Sequence, residues 1–220
     1  MIRIWDLAVR TFHWALVGLV TTSLISVNLG GNAMIWHVRA GVAILTLLLF
    51  RWVWGAIGST PARFGTFLQG PAAILAYVRV LLRGEEQPPA GHNPLGGWMV
   101  LVMLLALTAQ ALTGLFSNDD IFTEGPLAHL VSKSLSDTFT SFHSTIAEVI
   151  LALIALHVVA VLFHLIVRRE GLLRPMFTGR IAWPADRPRP DFRFPSPWLA
   201  PGILLLVIAA VAAVLWLFAL

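Results

Sequence analysis

The chain has 220 residues, 58% hydrophobic and 12% charged, against about 45–50% and about 25% in ordinary globular proteins. With a mean hydropathy of +0.82, this excludes a soluble domain. The absence of cysteine excludes disulfides, thiolate metal sites and thioether-anchored cofactors.

Five apolar runs, at about 10–29, 36–57, 95–116, 143–166 and 199–219, are each long enough to cross a bilayer core, which needs roughly 20 helical residues. The first lacks an A-x-A-like cleavage site and carries His13, so it reads as a retained span. After the second comes a loop, 58–94, in which PAAILAYVRVLLR (71–83) reads as an amphipathic helix lying on the membrane. The loop 117–142 begins acidic, with Asp119, Asp120 and Glu124. Residues 167–198 are rich in Pro and Arg and read as extended or irregular, with arginines near anionic headgroups. The fifth run, from Pro201 on, has no ionisable residue. Trp36 and Trp98 suit interface anchors. The expected fold is an all-α integral membrane protein. A four-helix bundle within 1–180 is followed by a linker, 181–198, and an extra C-terminal span, 199–220.

Basic residues set the expected orientation. Thirteen of the fifteen precede or begin span one, end span two or follow it, or follow span four; only Arg39 and Lys133 lie on the other side. The positive-inside rule then puts the N-terminus in the cytoplasm and the C-terminus outside. The sequence pI of about 11 reflects this topology signal, and nucleic acid is not an expected partner.

Four histidines stand out within or at the ends of the spans. His13 begins span one at the cytoplasmic side, and His37 opens span two from outside. His143 opens span four from outside, with His157 fourteen residues later. That is about 21 Å deeper and on the same face. By depth, His37 faces His143 and His13 faces His157. Two histidine pairs, each drawn from two helices, suit bis-histidine ligation of two stacked haems. Zinc would want four ligands converging at one site.

Other residues keep two readings. Arg51, fourteen residues after His37, could meet a haem propionate or snorkel to the interface; Arg10 and Arg39 invite the same choice. His164 shares a face with His157 and is an alternative ligand to it, a propionate or quinone contact, or a surface residue. His92 reads as a loop or interface residue and His129 as solvent-exposed. Glu148, five residues after His143, could pair with Lys133 or Arg39, or exchange protons near an external quinone site. Gly41, one turn after His37, would let a flat macrocycle or another helix approach.

Four segments carry a family resemblance: RIWDLAVRTFHWALVGLV, WHVRAGVAILTLLLFRWVWGAIG, HNPLGGWMVLVMLLALTAQALTGLF and FHSTIAEVILALIALHVVAVLFH. Together they resemble the bacterial cytochrome b561 family, which includes the b-type cytochrome subunits of nickel–iron hydrogenases. The resemblance covers about 1–180. It implies two b-type haems, with axial ligands at His13, His37, His143 and His157, matching the pairing by depth. It also implies electron transfer in the bacterial inner membrane between ubiquinone or menaquinone and a periplasmic c-type cytochrome or hydrogenase-like protein. One branch resembles a superoxide:quinone oxidoreductase, a self-contained enzyme rather than an electron-transfer subunit. Many members carry an acidic residue after the span-four histidine, where this chain has Ser144. A cofactor-free transporter or structural subunit, with the histidines as proton relays, is the remaining alternative.

Overall fold

The structure is a computed structural model that describes residues 1–84 and 91–218. Residues 85–90, part of the expected 58–94 loop, and 219–220, the end of the expected fifth span, lie outside the described residues. In chain order the elements are β1 (Ile2–Arg3), α1 (Leu7–Leu29), α2 (Met34–Ile57), α3 (Phe64–Phe67), α4 (Pro71–Arg83), α5 (Pro94–Gly114), α6 (Lys133–Ile166), α7 (Leu173–Thr178), β2 (Arg180–Ile181) and α8 (Leu199–Phe218). Among the described residues, α1, α2, α5, α6 and α8 are long and apolar enough to cross a membrane. These are the five expected spans.

Helix boundaries follow local chemistry. Asp6 caps α1 by accepting from Val9 N at 2.7 Å, and Asn93 caps α5 through Gly96 N. α4 matches the expected 71–83 helix, with Pro71 opening it and Gly84 closing it in the left-handed region (φ 71°). α6 starts ten residues before the expected span. Ser132 caps it by accepting from Leu135 N, and its first turns are too polar to register as an apolar run. At 34 residues it is about 51 Å long and stands well proud of a core of about 30 Å. The expectation of irregular chain over 167–198 needs a second correction. α7 and β2 lie within it, and β2 pairs antiparallel with β1, Ile2 opposite Ile181. The Gly179 carbonyl accepts from both Ile4 N and Trp5 N, which fixes this short ribbon.

The bundle consists of two hairpins. α1 packs along α2, and α5 along α6. α2 joins them by touching α5 and also carries α8. Leu48 and Trp54 of α2, 0% and 2% exposed, sit at the centre of the packed core. By contrast α6 makes no extensive contact with α1 or α2, the helices its histidines face. Where two helices do pack in lipid, contact surface and small residues hold them rather than exclusion of water.

The end bearing the N-terminus is tightly knit. Asp6, 5% exposed, accepts from Trp54 Nε1 at 3.0 Å and from Ser59 Oγ. Thr60 N donates to the Arg193 carbonyl, tying the segment before α8 to the end of α2. At the far end, Asn118 bonds Ser136 and Thr140 of α6, holding the loop 115–132 against that helix. His129 meets the Phe218 carbonyl at 2.7 Å, so the end of α8 reaches this loop.

Candidate functional site

α6 supplies two histidines to one face and sets both depths. At the far end, His143 stands opposite His37 of α2, ring centroids 6.0 Å apart and planes at 78°. The Nδ1 atoms of both rings are tied to backbone carbonyls: His143 to Gln110 at 2.9 Å and His37 to Ser23 at 3.1 Å. The hydroxyls of Thr113 and Ser23 lie at 3.3 and 3.0 Å from the same atoms. A carbonyl can only accept, so each Nδ1 carries the proton and each Nε2 keeps a free lone pair, the form that binds metal.

Gly114 makes this arrangement possible. A Cβ there would fall 2.8 Å from Cε1 of His143, so only glycine lets the ring lie against α5. On the other side, a Cβ at Gly41 would touch nothing within 4 Å. The helix surface one turn below His37 therefore has room beside it.

Toward the N-terminal end, His13 of α1 and His157 of α6 lie within electrostatic reach of each other. Both rings are half-buried. His13 Nδ1 is buried without a hydrogen-bond partner, and Trp14 meets the ring edge-on at 5.0 Å. Trp14 is held in turn by stacking on Phe177 and by a bond to the Met176 carbonyl. His164, also buried, is bonded through Nδ1 to Glu170 at 2.9 Å, a pairing that sequence reading missed. The two residues are six apart across the end of α6.

The arginines have local partners. Arg10 donates to the carbonyls of Phe177 and Asp6. Arg51 is 3% exposed, donates to the Ala62 carbonyl at 3.1 Å and lies over the Phe64 ring. It does not snorkel, and its Nη1 is buried and unpartnered. Arg39 rests on Trp36. His92 is the clearest departure from expectation. Its ring is lodged between Trp5 and Phe67, at 4.7 and 4.6 Å. Burial, and secondarily the Arg51 charge, push its pKa down to about 3. At the far end the Asp119 carboxyl is held well below its usual range by the backbone N–H groups of Thr123, Ile121 and Phe122. Gln110, Gly114, Ser23 and Asp6 all escaped sequence reading. Only Asp6 carried a usable signal, as an acidic residue directly before an apolar run.

Among the described residues no three His, Asp or Glu side chains converge. The bundle instead offers histidines in pairs, which suits a planar cofactor supplying its own equatorial nitrogens. The prokaryotic cytochrome b561 profile matches residues 4–179. The chain belongs to that family. Cytochromes b561 bind b-type haem and carry electrons across a membrane, and this multi-pass chain is one of them. No curated protein and no solved structure matches the chain.

The residues fit the cofactor. Two metal–imidazole bonds of about 2 Å, each extended by roughly 1 Å to the ring centre, require centroids about 6 Å apart. The far-end rings stand at 6.0 Å.

Proposed function

We propose that the chain holds two b haems, an outer one between His37 and His143 and an inner one between His13 and His157. Through them it moves electrons between membrane quinone and a redox protein on the outer face. The observation that carries this is the outer pair, spaced for a bis-imidazole iron and proton-fixed by backbone carbonyls. His157 is the inner ligand in preference to His164, because it lies within electrostatic reach of His13 and follows His143 by fourteen residues on the same face. Arg10 and Arg51 belong to the inner site as charge partners for haem propionates, and the unpartnered Nη1 of Arg51 supports that role.

Bound haem supplies the one-electron chemistry. The protein's own part is to orient and to insulate. Ser23 and Gln110 fix the ring tautomers. Trp14 braces His13, and the core around Leu48 and Leu104 excludes water. The excess of arginine at the N-terminal end supports a cytoplasmic N-terminus, a periplasmic C-terminus and residence in the bacterial inner membrane.

The superoxide:quinone alternative is less well supported. The loop above the outer pair presents Asp119, Asp120 and Glu124, and Lys133 is already paired with Asp120 and Asp137. Such a face repels an anionic substrate and favours a cationic partner such as a basic c-type cytochrome.

Haem stoichiometry combined with a redox titration tests the reading. Two haems per chain with two separate potentials are expected. One haem, or a colourless protein made with ample haem, overturns it.

A further inference from the structure

We propose that the outward face of α6 is a quinone site in which Glu148 exchanges the substrate's proton. This rests on the haem and quinone reading above and goes further by naming the place and the residue. Glu148 follows His143 by five residues, so it lies about 7.5 Å deeper and about 140° around the helix. The histidine face is turned into the bundle, whereas Glu148 is exposed on the opposite side. Neither expected cation meets it. Lys133 is held by Asp120 and Asp137, and Arg39 lies on Trp36.

An ionisable side chain turned toward lipid is costly and marks function by default. Here the outward direction is itself informative. A substrate dissolved in the bilayer can reach such a carboxylate sideways, without passing between helices. Above Glu148, exposed Thr145, Ser144, Ser141, Thr138 and Asp137 follow at helical spacing on the same side. Their stripe ends in an open groove of about 620 Å³ lined by Ser134, Asp137 and Ser141, at the aqueous end of α6. Ser144, Thr145 and Thr138 donate to carbonyls one turn back, at 3.1, 3.0 and 2.9 Å. Their donors therefore need no partner helix, while their oxygens remain able to accept. Glu148 is left as the group with an unmet need, at the foot of a polar track leading to water. Below it, exposed Ala152 and Ala155 leave the face shallow enough for a flat ring.

The chemistry balances. Oxidation of a quinol releases two electrons and two protons. Haem held by the outer pair, about one helix diameter away, roughly 10–12 Å, would take up the two electrons one at a time and hand each on before receiving the next. The Glu148 carboxylate accepts one proton, passes it toward Asp137 and water, and then accepts the second. Quinone reduction is the same sequence reversed.

The test uses haem-loaded, full-length protein in lipid nanodiscs. A short-chain quinol is mixed with it and haem reduction is followed optically; dithionite provides a quinone-independent reductant. In parallel, an azidoquinone is photolysed and the label mapped by mass spectrometry. Glu148→Gln should slow quinol-driven reduction about 100-fold, with the dithionite spectrum unchanged and Glu148→Asp recovering part of the rate. The label should fall within 141–155. An unchanged Glu148→Gln rate, or a label elsewhere, overturns the Glu148 assignment and leaves the quinone reading standing. Cross-linking of Ser141→Cys to a second copy would also overturn it, because a neighbouring chain would then cover the face. Failure of the wild-type protein to accept electrons from any quinol would overturn both readings.

Discussion

The two histidine pairs are held in place by different means. At the outer pair each imidazole is fixed by a carbonyl on a neighbouring helix, Ser23 on α1 for His37 and Gln110 on α5 for His143. At the inner pair, His13 Nδ1 has no such bond. Its orientation depends on Trp14, which depends on Met176 and Phe177 of α7, and α7 is anchored by Arg10 and by the β1–β2 ribbon. The outer pair is thus set within the helical bundle. His13 of the inner pair is set only once a distant segment has docked. The difference predicts that the outer site is preorganised and that the inner one is sensitive to whatever loosens the N-terminal end.

Ligand removal is the most severe way to break this comparison. His157→Ala and His13→Ala should each lower the haem content from two to one and leave the outer haem's spectrum and potential intact. His164→Ala should keep both haems. If His157→Ala retains two and His164→Ala retains one, the inner ligand is misassigned.

Asp6→Ala should have the next largest effect, and only at the inner site. It removes the α1 cap and strands the buried donors of Trp54 and Ser59. A lost cap costs about 1 kcal/mol and each stranded buried donor about 1–3 kcal/mol, so a loss of roughly 3 kcal/mol or more is expected. The measurement is thermal loss of each haem band in turn. Simultaneous loss of both would remove the distinction between the two ends. Gly114→Ala is the converse experiment. Its Cβ would press on His143, so the outer potential should shift while the inner one stays where it is.

Some of this was legible in the sequence because the relevant physics is local. Span length, the arginine bias and the fourteen-residue spacing of His143 and His157 each depend on one segment alone. The start of α6 was not legible, because SLSDTFTSF is polar and its helix is fixed by a Ser132 cap rather than by an apolar run. The burial of His92 was hidden for a different reason. Its cage comes from Trp5 and Phe67, both remote in the chain, and no pattern around HNPLGG announces them. The bond between His164 and Glu170 was hidden as well, because it appears only when the chain after α6 turns back.

His92 also sharpens the comparison through pH. Its pKa falls from 6.5 to about 3 on folding, so the folded state binds fewer protons between those values. The stability that a neutral His92 allows is complete above pH 6.5 and is lost as pH falls toward 3. The inner site should therefore lose haem at mildly acidic pH before the outer one does. His92→Phe should flatten that dependence. If both haems are lost together in the variant and in the wild type, His92 does not govern the N-terminal end.

Ser23→Ala should have the smallest effect, and its smallness is informative. His37 Nδ1 lies near both the Ser23 hydroxyl and the Ser23 carbonyl, at 3.0 and 3.1 Å. Removing the hydroxyl leaves the carbonyl, which alone requires a proton on Nδ1 and a lone pair on Nε2. The tautomer should survive, with a loss of about one neutral hydrogen bond, roughly 0.5–1.5 kcal/mol. The outer potential should move slightly and haem content not at all. Loss of the outer haem in Ser23→Ala would mean that the hydroxyl, not the backbone, orients His37, and that the outer pair is no better preorganised than the inner one.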